Sequence, residues 1–349
     1  MLAISNTLFA AEVTKEYHKE FTSKPTTTLD INSKYGNVVI ESWNENRIVI
    51  DVKVTVKVPN KEREEKDISN IDVLFSENGN VIKAWTEINS RYFARVNGRI
   101  TNTFGNISIN YNVKMPLATA LNLENKYGNI TIVNELSGLV NLNVRYGNLT
   151  AGKLTRGDEK PWNTISLGYG RGNIEEAGWL TLNTSYVGMF EISKCTAVVL
   201  ESKYSKLNLG LISSIVGESR YDNIRINNII NLELDNRFSN INIGTMANSL
   251  KLKTNYGPLT VDNITAGFES IEIESRYANI KLGIADNASY ELNGKARYGG
   301  IKYNENNFNI RQRIQENNSL TIVGTMGKDA SPKAKVKIDV AYATVNLGQ

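Results

Sequence analysis

Apolar and polar residues alternate in short runs along most of this chain, and each run ends at an aromatic residue. In Leu121-Asn122-Leu123-Glu124-Asn125-Lys126-Tyr127 the apolar positions lie two apart. That is the period of a β-strand, whose side chains point to opposite faces in turn. The same pattern recurs in Leu232-Glu233-Leu234-Asp235-Asn236-Arg237-Phe238 and in Ile271-Glu272-Ile273-Glu274-Ser275-Arg276-Tyr277. It predicts Leu121, Leu123, Asn125 and Tyr127 on an inner face, and Asn122, Glu124 and Lys126 on an outer one. After the aromatic the parity breaks, because Ile130 and Ile132 are odd steps from Tyr127. The intervening Gly-Asn pair must turn the chain, and both residues tolerate positive φ. Gly36, Asn37, Gly128, Asn129, Gly147 and Asn148 are therefore the expected structural corners. Each unit reads as a strand, a corner, a second short strand and a looser return.

The unit repeats. From Tyr186 the aromatic recurs at 204, 221, 238, 256, 277 and 298, in steps of 18, 17, 17, 18, 21 and 21 residues. Helical repeats such as ankyrin need about 33 residues, and leucine-rich repeats about 20–29 with an asparagine pattern that is missing here. One coil of a parallel β-helix fits. The fold class predicted is all-β, a right-handed parallel β-helix (β-solenoid), right-handed because parallel crossovers take that hand. Two residues before the aromatic stands a small polar residue, at Ser33, Asn125, Thr184, Ser202, Ser219, Asn236, Thr254 and Ser275. Stacked in the interior, these side chains are expected to satisfy one another or the corner backbone.

Elsewhere the pattern changes. Residues 1–11 resemble the back half of a secretory signal, with small residues at Ala10 and Ala11, and read as a truncated signal-peptide remnant. Residues 12–43 hold an extended or disordered N-terminal segment and the first coil, Leu29–Val39. Arg47–Val58 is one long alternating strand. Asn60–Asp67 is charged and fits a short helix with an Asn cap. Glu77-Asn78-Gly79-Asn80 is a hairpin signal, and Pro116 ends a strand from Ile107. Residues 44–116 thus form an N-terminal antiparallel capping insertion, suited to covering a solenoid end that would otherwise expose unpaired backbone. Residues 117–349 form the β-solenoid, with an irregular segment at 304–333 and a last corner at Tyr342.

Composition narrows the function classes. With 40 basic and 36 acidic residues the net charge is +4, which argues against a dedicated nucleic-acid binder. Cys195 is the sole cysteine, so an internal disulfide and a cysteine metal cluster are both excluded. The single histidine, His18, lies outside the repeats. No stretch reaches the roughly 18 apolar residues of a membrane-spanning helix. No cofactor and no metal site are expected, and the corners lack the repeated Asp of calcium-binding β-rolls.

One outer-face pattern has candidate chemistry. The residue before the aromatic is basic at Lys34, Lys126, Arg145, Lys203, Arg220, Arg237, Arg276 and Arg297. Two residues earlier it is acidic at Glu124, Glu201, Glu218, Asp235 and Glu274. Stacked coils would set a basic column beside an acidic one. This is either a solvated surface, whose exposed pairs are worth roughly 0–1 kcal/mol each, or a ladder that grips an anionic polysaccharide or lipopolysaccharide. Lyases and glycosidases also use β-helices, but they need carboxylates set in a cleft, whereas these acids alternate with bases.

The Tyr-Gly-Asn corners, the strand Arg47–Val58 and the segment Asn110-Tyr-Asn-Val-Lys-Met-Pro116 resemble the bacterial putative-adhesin family of extracytoplasmic β-helix domains, a family of unknown function. The resemblance spans the chain from about residue 26. It implies a non-enzymatic protein of the periplasm, cell surface or secreted fraction with an adhesin-like, scaffold or envelope-associated role, and a polysaccharide or another envelope component as partner. A carbohydrate-active enzyme on the same fold and an envelope-stress sensor partner are the alternatives.

Overall fold

The computed structural model describes residues 11–58, 68–89, 95–96, 99–100 and 107–348. Residues 1–10 of the expected signal remnant and the short helix at 60–67 lie outside the described residues, and Ala11 begins a strand. The chain divides into two compact units, Met1–Arg156 with Ile165–Gly170, and Gly157–Thr164 with Arg171–Gln349.

The first unit runs through β1 (Ala11–Thr22), β2 (Thr28–Lys34), β3 (Val38–Trp43), β4 (Arg47–Val58), β5 (Ile71–Asn78), β6 (Val81–Ile88), β7 (Arg95–Val96) and β8 (Arg99–Ile100). It continues with β9 (Ile107–Pro116), β10 (Ala120–Lys126), β11 (Ile130–Leu136), β12 (Val140–Arg145), β13 (Leu149–Leu154) and the greater part of β14 (Asn163–Gly168). The coil strands stack in parallel with like positions in register. Ile31 pairs with Leu123 and Leu123 with Leu142. Beyond the corner, Val38 pairs with Ile130 and Ile130 with Leu149. The antiparallel part surrounds β4, which pairs with β1 on one side and β9 on the other. The N-terminal segment is thus a full strand, in register from Ala11 with Val58 to Thr22 with Arg47. The alternation in β4 buries Ile48, Ile50, Val52, Val54 and Val56. The hairpin signal holds: β5 and β6 pair antiparallel around Gly79, whose φ is +60°. β6 then joins the coils by pairing parallel with β2.

The second unit opens with five long strands, β15 (Arg171–Ser185), β16 (Met189–Lys203), β17 (Lys206–Arg220), β18 (Asn223–Arg237) and β19 (Asn240–Asn255). Each spans nearly a whole coil and is broken only at the aromatic corner. The expected looser return is replaced here by ladder, which continues to the next coil with only single skipped pairs from β16 to β18 and one register shift, between Ile229 and Asn231, from β18 to β19. There follow β20 (Leu259–Ile264), β21 (Ser270–Arg276), β22 (Ile280–Ile284), β23 (Tyr290–Arg297), β24 (Gly300–Lys302), β25 (Phe308–Glu316), β26 (Ser319–Met326), β27 (Ala334–Ala341) and β28 (Thr344–Asn346).

Sequence order and stacking order part company at this end. β27 lies between β21 and β23 and pairs parallel with both. β28 likewise lies between β22 and β24. The irregular segment 304–333 supplies β25 and β26, which extend the sheet antiparallel from the far side of β23. The coil that is last in sequence is therefore stacked inside the unit, with Tyr342 between Tyr277 and Tyr298.

The corners depart from expectation in an instructive way. The residue with left-handed φ is the aromatic itself, +65° at Tyr127, +58° at Tyr146 and +58° at Tyr221, and not the glycine after it. The bend swings the ring out of the strand's alternation. Tyr127, expected inside, is 42% exposed, while Leu121, Leu123 and Asn125 are buried as predicted. Glycine follows for a steric reason. A Cβ on Gly128 would fall on the carbonyl of Gly36, and one on Gly147 on the carbonyl of Gly128.

Two hydrogen-bonding solutions serve the corner amides. Where the corner is Gly-Asn, the Asn backbone N–H donates to an Asn side-chain oxygen of the neighbouring coil. Asn129 donates to Asn37 at 3.0 Å and Asn148 to Asn129 at 2.9 Å. At the corners from Tyr186 to Phe238 a buried side chain after the aromatic does this work, whereas Thr344 donates its N–H to the Asn279 side chain at 2.9 Å as in the first unit. Val187 donates its N–H to Ser205 Oγ at 3.2 Å, Ser205 to Asp222 at 2.7 Å, and Asp222 to Ser239 Oγ at 2.9 Å. Corners that look degraded in sequence are a second solution to the same requirement that buried amides be paired. The expected interior polar file is present, with Thr184 and Ser202 hydroxyls 2.7 Å apart and Asn236 donating to Thr254 at 3.0 Å, but Ser33 Oγ, Asn125 Oδ1 and Asn236 Oδ1 are buried with no partner among the described residues.

Candidate functional site

The outward-turned aromatics form a ladder in each unit. In the first, Tyr35, Tyr127, Tyr146 and Tyr169 stack with centroids 5.2, 5.2 and 4.8 Å apart and planes within 13°. In the second, Tyr186, Tyr204, Tyr221, Phe238, Tyr256, Tyr277, Tyr342 and Tyr298 stack at 4.8–5.0 Å. The spacing is that of neighbouring strands, so the coil repeat itself sets the ring contact. Ring faces are covered by neighbours, which leaves edges and phenol hydroxyls outward. Exposure reaches 57% at Tyr298. Tyr169 belongs to the ladder although its surroundings, Gly168-Tyr169-Gly170-Arg171, lack the Asn of the motif.

The basic residues run beside the rings. In the first unit Lys34, Lys126 and Arg145 are register partners on adjacent coils. The Lys126 ammonium sits 5.0 Å from the Tyr127 ring centre, within cation–π range. In the second unit Lys203, Arg220 and Arg237 are consecutive partners, and Asn255 separates Arg237 from Arg276. Ala341 of the inserted strand separates Arg276 from Arg297. The acidic column engages three of the bases within their own strands. Arg220 meets Glu218 at 2.7 Å, Arg237 meets Asp235 at 3.7 Å and Arg276 meets Glu274 at 3.6 Å. Arg297 instead meets Asp339 of the inserted strand at 3.6 Å. Both partners of every pair are at least about a third exposed.

Other reactive side chains have structural surroundings. Cys195 is buried and its thiol is pushed up to about 12, chiefly by loss of solvent, which keeps it a thiol at physiological pH. His18 is exposed and lies 2.6 Å from Asp51 and 3.2 Å from Glu20, which raise its pKa, Asp51 first. Asp222 is buried at its corner. Desolvation raises its pKa against the opposing pull of its donors, Ser219 foremost. Among the described residues no group of His, Cys, Asp and Glu is placed to hold a metal, and no helix is long and apolar enough to cross a membrane.

Stacked parallel coils with in-register columns define a β-solenoid. The chain belongs to the Toastrack DUF4097 family, whose profile matches residues 4–347. No curated protein matches the sequence. Similar solved structures include a putative adhesin from Parabacteroides distasonis ATCC 8503, 11% identical over 77% of this chain and 97% of that one, with a TM-score of 0.39. A putative lipid binding protein from the same organism is 12% identical over 77% and 95%, with a TM-score of 0.33. A putative adhesin from Parabacteroides merdae ATCC 43184 is 10% identical over 76% and 95%, with a TM-score of 0.31. At such scores none of them supports an inference about this chain.

Proposed function

We propose that this protein is a non-enzymatic binding protein of the cell envelope, acting outside the cytoplasm, and that its ladder face holds an extended anionic polymer such as an envelope polysaccharide or lipopolysaccharide. The observation that carries the reading is the exposed row of aromatic edges at 4.8–5.0 Å bordered by Lys203, Arg220 and Arg237 on successive coils. A repeating surface suits a repeating ligand, since each added coil offers one more aromatic edge and most offer one more basic residue. The acids beside the bases do not defeat this. Exposed ion pairs are worth about 0–1 kcal/mol, so an incoming polyanion displaces Glu218 or Asp235 from its arginine at little cost. The extracytoplasmic part of the reading rests on the signal-like pattern of residues 1–11.

Binding of a purified envelope polysaccharide should fall steeply with salt, because exposed charges are screened within about 8 Å at physiological ionic strength. The double variant Arg220→Gln, Arg237→Gln should bind more weakly with an unchanged melting temperature, since neither guanidinium supports the core. The polymer recovered after incubation with the parent should keep its length. Equal binding by parent and double variant would sink the ladder as a recognition surface, and shortening of the polymer would sink the non-enzymatic reading.

A further inference from the structure

On the first unit the outer face carries a feature distinct from the rings. β6 lies along β2 with Asp30 beside Lys83 and Asn32 beside Trp85, and β5 follows with Ser76 opposite Lys83. Their inward neighbours Leu29, Ile31, Ser33, Ile82, Ala84 and Thr86 are buried, which turns Asp30, Asn32, Lys34, Lys83 and Trp85 outward. Together with Ser76 these residues line a trough of about 520 Å³. Its charge is unbalanced. Lys83 meets Asp30 only at 3.8 Å, and Lys34 has no ion-pair partner among the described residues. The Trp85 indole N–H, unlike that of Trp43, which donates to the Arg47 carbonyl at 2.9 Å, has no acceptor among the described residues.

We propose that this trough is a binding site for a single acidic sugar unit, a hexuronate. Sugars present an apolar face of C–H groups and a rim of hydroxyls. The Trp85 ring offers the first a flat partly buried surface, and Asn32, Asp30, Ser76 and the Trp85 N–H offer the second a mixture of donors and acceptors. Two ammonium groups against one carboxylate favour an anion over a neutral sugar, and a carboxylate between Lys34 and Lys83 would gain charge-assisted hydrogen bonds. The site shares Lys34 with the basic column of the first unit but goes beyond the ladder reading, since it needs one sugar and no repeat.

The test is titration calorimetry of the full chain with trigalacturonate, with maltotriose as the neutral control. The parent should bind trigalacturonate and not maltotriose. Lys34→Gln, an exposed change that leaves the core intact, should weaken binding about tenfold, the worth of one charge-assisted hydrogen bond. Trp85→Phe keeps the packing but removes the N–H and part of the platform, and should also weaken binding. Arg220→Gln with Arg237→Gln should leave trimer binding unchanged. The proposal is overturned if the parent binds neither trimer or both alike, if Lys34→Gln and Trp85→Phe bind as the parent does, or if the arginine double variant is the one that loses binding.

Discussion

Tyr146 at φ +58° gives up about 1–2 kcal/mol against ordinary backbone. It regains energy from two ring neighbours, at about 0.5–1.5 kcal/mol for each aromatic pair. The left-handed bend is therefore affordable only where coils stack, which ties the local conformation to the repeat. Glycine after the ring answers to a neighbour's carbonyl, so Gly128→Val and Gly147→Val should each destabilise by about 1–3 kcal/mol through overpacking. Urea melts would show it, and unchanged midpoints in both would refute the close approach. Asp222 gives a pH prediction. Its folded pKa lies above the unfolded value, so its contribution is fully present below about 3.9, the unfolded carboxyl, and is lost as pH rises through the folded pKa. The melting temperature of the parent relative to Asp222→Asn should accordingly fall as pH rises across that window. A difference independent of pH would contradict it. The interior polar file was legible in sequence because Ser, Thr and Asn recur at one strand parity. The bend at tyrosine was not, because Gly-Asn explains a turn equally well until the Asn37–Asn129–Asn148 side-chain relay is seen.

At the scale of elements, alternation located the strands and in-register repeats located the coils. Ala334–Ala341 reads as a strand in either case. Its place in the stack was hidden, because a strand with inner Val336, Ile338 and Val340 fits against any coil with the same parity. What decides is the connection through β25 and β26, which spends the chain on the far side of β23 before returning. With β27 paired on both edges, truncation after Pro332 should expose the apolar rows Ile271, Ile273 and Leu292 and leave the facing edges of β21 and β23 unpaired. Far-UV circular dichroism on heating should show a lower, broader transition, whereas Ile310→Lys on the exposed β25 should melt with the parent. A truncated chain as stable as the parent would mean that the inserted strand is dispensable.

For the whole molecule, the fold class followed from the repeat, because a period of 17 to 21 residues admits few architectures. The ligand did not follow, because a net charge of +4 conceals columns that are individually charged, and because Trp85 acquires its polar surroundings only when β6 returns to β2. The inserted strand also bears on how the protein comes into being. Chains released from the ribosome, or threaded through a membrane, emerge N-terminus first and fold in that order. Coils as far as β22 can add one upon another as they appear. β23 cannot take its seat, since the place beside β21 belongs to residues 334–341, which emerge later. Until then β23, β25 and β26 form a loose flap and β21 an open edge of the kind that invites foreign strands. Closure of this end thus waits for residues 334–341, so the last strand to be made is the one that seals β21 to β23.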